Sequence, residues 1–190
     1  LEKKNSLSSI KNKMIFDFLW EKRLYQIKTK IFGRHNIYNL LSVIASLIFY
    51  EFSIDKIIAV IENLDSISGR NEVVHFNQNG VPQIIVDYAH TPDALENILR
   101  SLGEIGASEI ILIFGCGGNR DIGKRKEMAF VANKYADRVI VTNDNPRDEN
   151  PHDILNTIEK NLTVNNEVIE NREEAIKRGL MLVKREGILL

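Results

Sequence analysis

Ile110-Ile111-Leu112-Ile113-Phe114-Gly115-Cys116-Gly117-Gly118-Asn119-Arg120-Asp121-Ile122-Gly123-Lys124-Arg125 sets the architecture of this chain. Five apolar residues without a polar break make a strand covered on both faces, and such runs belong to parallel sheets. A glycine-rich turn ends the strand, and a helical pattern follows. Working outward, the same alternation recurs. Strands are expected at Glu72–Phe76, Gln83–Asp87, Glu109–Phe114, Arg138–Thr142 and Gly187–Leu190, with Glu167-Val168-Ile169 as a further short one. Helices are expected at 92–103, 124–136, 152–161 and 172–184. This is an α/β chain with a mostly parallel sheet and helices on both faces, and ligands in such sheets bind at the carboxyl ends of the strands.

Upstream of residue 69 the character differs. The first dozen residues are polar and expected to be frayed or incomplete. Two alternating runs, Ile15-Phe16-Asp17-Phe18-Leu19 and Leu24-Tyr25-Gln26-Ile27, predict a strand pair turning near Glu21-Lys22-Arg23. Ile37, Leu40, Leu41, Ile44, Leu47 and Ile48 repeat at helical spacing, and Ser53 is expected to cap a second helix bearing Ile54, Ile57, Ile58 and Ile61. Leu64 to Gly69 reads as a hinge, dividing the chain into domains 1–68 and 69–190. The chain stops at Gly187-Ile188-Leu189-Leu190, in mid-strand by this reading, so truncation is expected there.

Composition narrows the classes. With 44% hydrophobic and 27% charged residues among 190, this is an ordinary globular chain. A net charge of −1 gives no global electrostatic case for nucleic acid. No apolar run approaches the roughly 20 residues needed to span a bilayer, so membrane insertion is not expected. The single Cys116 forms no internal disulfide, and no spacing suggests a metal site. A cytoplasmic location is the default expectation.

Five segments carry chemistry. Asp144-Asn145-Pro146-Arg147 follows the buried run Val139–Thr142 and sets an acid, an amide and a guanidinium in one tight turn. Asp144 suits an ammonium, and Arg147 can grip a carboxylate with two parallel hydrogen bonds. Pro146 fixes its own φ and biases Asn145 toward an extended conformation, holding the charges apart. A merely solvated turn is the alternative. Asp87-Tyr88-Ala89-His90-Thr91-Pro92 ends a strand and opens a helix, with Thr91 as N-cap and Pro92 at the first helical position. Asp87 suits sugar hydroxyls and His90 a phosphate; a simple capped turn is the alternative.

The loop Gly115–Arg125 fails the dinucleotide fingerprint, because Arg120 stands where a third glycine is needed. It matches the phosphate-loop template through Gly123-Lys124, but Arg125 replaces the magnesium-binding hydroxyl. Backbone N–H groups with Arg120, Lys124 and Arg125 are still expected to favour an anion. In Gly33-Arg34-His35-Asn36-Ile37-Tyr38-Asn39, the amides of Asn36 and Asn39 share a helix face and could cap the helix or read an adenine edge. Arg70, in Gly69-Arg70-Asn71-Glu72, could clamp phosphate or be a solvated linker charge.

In this order, the motifs GRHNIYN, GRNE, DYAHTPDAL, GCGGNRDIGKR and DNPR resemble those of the Mur ligases of peptidoglycan synthesis, over nearly the whole chain from about residue 14. The resemblance implies that residues 1–68 are the C-terminal part of a central ATPase domain and that 69–190 form a Rossmann-like C-terminal domain. It further implies that ATP and Mg²⁺ convert a carboxylate to an acyl phosphate, which an incoming amine attacks. Asn36 and Asn39 would then lie near adenine, Arg70 at the phosphates and Asp87 at the ribose, with His90 nearby and Lys124 a phosphate contact. Arg120 and Asp144, Asn145, Pro146 and Arg147 would bind the amino acid. The DNPR form of the turn is similar to that of members adding meso-diaminopimelate to UDP-N-acetylmuramoyl dipeptide. Lysine in place of that amino acid would strand a buried guanidinium, so discrimination on the order of 10⁴ is expected.

Asn71 stands where many members have Met and Asn119 where many have Asp. No G-x-x-G-K-T/S loop, carbamylated lysine or GKGHE loop is present, so a fragment without catalytic residues of its own is expected. A non-catalytic Rossmann-like module for a nucleotide or amino acid is the runner-up, and a folylpolyglutamate synthase-like ligase a weaker one.

Overall fold

The computed structural model describes residues 14–31, 33–65, 67–74, 82–104 and 106–190, in two compact units, 1–71 and 72–190. The expected N-terminal fraying and the end of the strand expected to reach Phe76 lie outside the described residues.

In the first unit, β1 (Met14–Trp20) and β2 (Arg23–Thr29) pair antiparallel, with Phe16 opposite Ile27. Glu21 and Lys22 both have positive φ (46° and 65°), the backbone that a two-residue hairpin turn with the twist of its strands requires. Helices α1 (Arg34–Phe49) and α2 (Ile54–Asn63) follow. Met14, Phe16 and Ile27 from the hairpin bury with Leu40, Ile44, Ile57 and Ile61, so the helical spacing read from the sequence is the spacing that packs. One detail is corrected. Ser53 occupies the N-cap of α2, but its side chain makes no capping bond; its carbonyl accepts the Ile57 N–H at 3.1 Å, as in any helix.

The second unit is a six-stranded sheet in the order β3-β4-β8-β5-β6-β7. Its strands are β3 (Glu72–Val74), β4 (Gln83–Val86), β5 (Ile110–Phe114), β6 (Arg138–Val141), β7 (Asn165–Val168) and β8 (Ile188–Leu189). Among the described residues of this sheet, only the β3–β4 pairing is antiparallel. Helices α3 (Pro92–Glu104), α4 (Gly123–Tyr135), α5 (Pro151–Glu159) and α6 (Arg172–Leu182) connect the parallel strands. Strand order advances through α3, α4 and α5 and then returns through α6 to β8. Right-handed crossovers therefore place α6 on the face opposite the other three. The core agrees: Ile111, Ile140 and Leu189 bury against Ala175 of α6, with Ile113 and Leu182 beside them. Alternation sends Ile110, Leu112 and Phe114 to the other face. Both faces are covered, and both need apolar residues on β5.

Candidate functional site at the carboxyl ends of β5 and β6

Neighbouring parallel strands deliver their following loops to one place. Phe114 pairs with Val141, so the glycine loop after β5 and the DNPR turn after β6 leave side by side. The loops are packed backbone to backbone. A Cβ on Gly115 would lie 2.1 Å from the Thr142 carbonyl oxygen, and one on Gly118 would lie 1.8 Å from that of Pro146. The Gly118 N–H donates to the Asn145 carbonyl at 2.8 Å, and Arg147 Nη1 donates to the Gly118 carbonyl. Here glycine is needed for close approach rather than for a special φ.

This alters the anion-cradle expectation. The Gly118 N–H is used by Asn145, and the Asn119 N–H donates to the Glu149 carboxylate. Arg125 is corrected as well. Instead of offering charge to a ligand it is buried (3% exposed), and its Nη2 donates to both oxygens of Glu149 at 2.8 Å. The sequence held a signal for this: Arg125 precedes Met128, Ala129 and Ala132 by three, four and seven residues, which puts it on the buried stripe of α4. Glu149 and its neighbour Asp148, which accepts from Asn119 Nδ2 at 3.0 Å, were missed entirely.

Of the remaining cations, Arg120 is exposed and Lys124 half-buried, and the side chain of neither makes a hydrogen bond or ion pair among the described residues. Asp144 is exposed and likewise makes no hydrogen bond or ion pair there, so it and Arg147 are held apart in one turn. Asn145 shapes the turn, its Oδ1 accepting the Arg147 N–H at 3.3 Å, while Pro146 presents its carbonyl to the glycine loop. Arg147 adopts φ +50°, uncommon for a side chain of its size. It is exposed rather than buried, and Nη1 is already engaged, which corrects the expectation of a sequestered guanidinium. Burial pushes the Cys116 thiol up to about 11, which disfavours its thiolate at neutral pH.

Glu149 should also give the stability of the loops a pH dependence. The Arg125 hydrogen bond, then the Asn119 N–H, holds its carboxyl below the ordinary 4.5. A lowered folded value contributes stability that is present above the unfolded value and lost as pH falls through the folded one. Glu167, held down first by Arg178, adds a slope in the same direction. The informative quantity is therefore the difference between wild type and Glu149→Gln. Wild type should melt higher at about pH 7, and the gap should close well below about pH 4.5. Thermal melts across that range check it.

At the end of β4, Asp87 Oδ1 accepts the Ala89 N–H at 2.8 Å, and Thr91 Oγ1 accepts the Ala94 N–H at 3.3 Å, as a helix cap. His90 is exposed; its Nδ1 lies 3.0 Å from the Tyr88 carbonyl, and its ring meets the Tyr88 ring edge-on. A carbonyl partner makes Nδ1 the donor, so Nε2 can donate to an anion only on the protonated ring.

Asn36, Asn39 and Arg70 belong to the first unit. Asn39 Nδ2 donates to Asn36 Oδ1 at 3.1 Å, so the two amides bond each other, and the cap position of α1 is Gly33 without a side-chain cap. Asn71 is 2% exposed with φ +47°, and a Cβ on Gly33 would sit 2.7 Å from its Nδ2. Asn71 and Asn119 (φ +51°) share a backbone conformation that asparagine tolerates better than most residues, a physical reason for asparagine at both.

Residues 69–190 match the family "Mur ligase, glutamate ligase domain". The chain is 44% identical over 164 residues to the UDP-N-acetylmuramoyl-L-alanyl-D-glutamate–2,6-diaminopimelate ligase of Coxiella burnetii, covering 85% of this chain and 33% of the relative. It is 38% identical over 176 residues to such a ligase, numbered 1, of Clostridium acetobutylicum, covering 92% and 36%. Among solved structures it is similar to folylpolyglutamate synthase of Thermotoga maritima (26% identity, TM-score 0.69, 94% of this chain and 40% of that one). The chain spans about a third of the length of the curated relatives it matches.

Proposed function

The chain belongs to the Mur ligase family, and from that premise we propose that it is the amino-acid-binding part of an ATP-dependent ligase adding meso-diaminopimelate to UDP-N-acetylmuramoyl-L-alanyl-D-glutamate in cell wall synthesis. One observation carries the reading. Asp144 and Arg147 stand unpaired with each other on a turn fixed against the glycine loop, with Arg120 on that loop. An ammonium and a carboxylate at one end of an amino acid match that pair. Lysine lacks the carboxylate, and a glutamate lacks the distal ammonium, so the acid–guanidinium pair favours diaminopimelate over the folylpolyglutamate-type reading.

In this reaction the substrate carboxylate takes the γ-phosphoryl of ATP, releasing ADP. The amine of the incoming amino acid then attacks the acyl carbon, and phosphate leaves as the amide forms. The residues here bind and orient the nucleophilic amino acid rather than move the phosphoryl group. Asp87 is assigned to the ATP ribose, with His90, Asn36, Asn39 and Arg70 as further nucleotide contacts and Lys124 as a phosphate contact. Among the described residues no group of three or more His, Cys, Asp or Glu is placed to hold a metal, so no step through Mg²⁺ is assigned to them; magnesium would accompany ATP. No helix among those residues is long and apolar enough to cross a membrane, and a cytoplasmic reaction fits the nucleotide-linked substrate.

The test is product formation by the full-length ligase carrying this segment: UDP-muramoyl tripeptide should appear with meso-diaminopimelate, ATP and magnesium together, and its absence would remove the proposal. Within that enzyme, Asp87→Ala should raise the KM for ATP with less effect on the KM for amino acid; an equal loss on both would make Asp87 a structural residue. The 190-residue chain alone, lacking a G-x-x-G-K-T/S loop, should release no phosphate from ATP above a heat-killed control.

A further inference from the structure

We propose that Arg125 and Glu149 are positioning residues for the amino-acid site, a partly buried staple that fixes the DNPR turn against the glycine loop without touching the ligand. The inference rests on the reading of that site as the amino-acid pocket. Three features of the geometry support it. Arg125 projects from the first turn of α4 and is almost fully buried, while Glu149 lies two residues beyond Arg147 and is only partly covered. The contact therefore joins the two loops' supports rather than two points on one of them. Glu149 is also shared: it accepts from Arg125 Nη2 through both oxygens and from the Asn119 N–H. A carboxylate so placed dictates where residue 119, and hence its neighbours Gly118 and Arg120, can sit. Finally, the Gly118 carbonyl takes the Arg147 Nη1 bond and the Gly118 N–H bonds Asn145. The chain of contacts runs from Arg125 to Glu149, to Asn119, to Gly118, and ends on the guanidinium of Arg147.

A second strut runs beside it, from Asn119 Nδ2 to Asp148 at 3.0 Å. It is exposed, so water competes for it. The buried member of the pair has no such alternative: Arg125 Nε is itself buried and has no hydrogen-bond partner among the described residues, so Glu149 is the carboxylate that balances the guanidinium. Losing Glu149 would leave the buried Arg125 guanidinium without its carboxylate and release the Asn119 amide together with it. A displacement of the loops by about 1 Å is enough to cost on the order of 10–100-fold in a reaction that depends on orientation.

The experiment has two arms. In the 190-residue chain, hydrogen exchange at the Asn119 and Gly118 amides should be protected in wild type and fast in Glu149→Ala, with Glu149→Gln intermediate because it keeps an acceptor but no charge. In the full-length ligase, Glu149→Ala should raise the KM for meso-diaminopimelate about tenfold or more, leave the KM for ATP within about twofold, and lower the preference for diaminopimelate over L-lysine. Glu149→Gln should recover part of each. A merely structural pair would not move the lysine ratio. If wild type uses diaminopimelate and Glu149→Ala keeps both its KM and its lysine ratio, the staple has no positioning role. If wild type does not use diaminopimelate at all, the site reading itself has failed, and the exchange arm still reports whether the staple holds the loops.

Discussion

In the full-length ligase, Arg147→Ala should lower kcat/KM for meso-diaminopimelate by about 10²-fold while changing that for L-lysine little. The distal carboxylate is the only group that separates the two amino acids at this end, and charge-assisted hydrogen bonds to it are worth about 1.5–3 kcal/mol each before losses. The sequence alone suggested a larger ratio, near 10⁴, on the assumption of a buried guanidinium. Exposure of Arg147 and the engagement of its Nη1 with Gly118 bring the expectation down, because water can re-pair what the ligand leaves. Arg147→Lys should keep the charge but lose the planar fork, and should therefore resemble the alanine variant more than wild type. Truncation of Arg120 should act in the same direction, more weakly, since that side chain is exposed and makes no hydrogen bond or ion pair among the described residues. An Arg147→Ala enzyme with unchanged kinetics for diaminopimelate would remove Arg147 from the site.

Among the described glycines of the second unit, Gly118→Ala should be the most damaging alanine substitution. The added methyl group would meet the Pro146 carbonyl oxygen at 1.8 Å and the carbonyl carbon at 2.6 Å, and neither is the end of a flexible side chain. One of the two loops must move. The Gly118–Asn145 hydrogen bond and the Arg147 contact then go together. Overpacking of this kind costs about 1–3 kcal/mol. For a unit of this size that corresponds to a fall of several degrees in Tm, about 4 °C or more. Loss of diaminopimelate turnover should exceed what the lost stability explains, because assays below the transition would contain folded enzyme with displaced loops. Gly103→Ala is the matched control: a Cβ there has nothing within 4 Å, and alanine favours a helix by up to about 1 kcal/mol over glycine. A Gly118→Ala protein that melts and turns over like wild type would show that the loops are not packed as described.

The contrast between these residues shows what the sequence made legible. Apolar runs and helical spacings placed the elements of both units, because burial on one or two faces leaves a direct periodic trace. The DNPR turn and the glycine loop could be assigned to strand ends, since a parallel sheet fixes where such punctuation falls. The pairing of the two loops was not legible: it depends on β5 and β6 being neighbours, while β8, the last strand in the chain, inserts between β4 and β5. Arg125 shows the limit at the level of one side chain. A run of cations beside glycines reads as an anion site, yet helical phase put one of them in the core, and its partner lay 24 residues away, on a loop with no periodicity to betray it. Exposure of Arg147 was illegible for a similar reason. The motif names the groups, but how far water reaches them is set by the surrounding fold.

The account rests on Asp144 and Arg147 recognising the two charges at the distal end of one amino acid. The most direct measurement gives the full-length ligase equal concentrations of meso-diaminopimelate and L-lysine, with ATP, magnesium and the UDP-muramoyl dipeptide, and weighs the two tripeptide products by mass spectrometry. The account predicts diaminopimelate product in excess by about 10²-fold, falling toward parity in Arg147→Ala. Comparable amounts of the two products from the wild-type enzyme would contradict it.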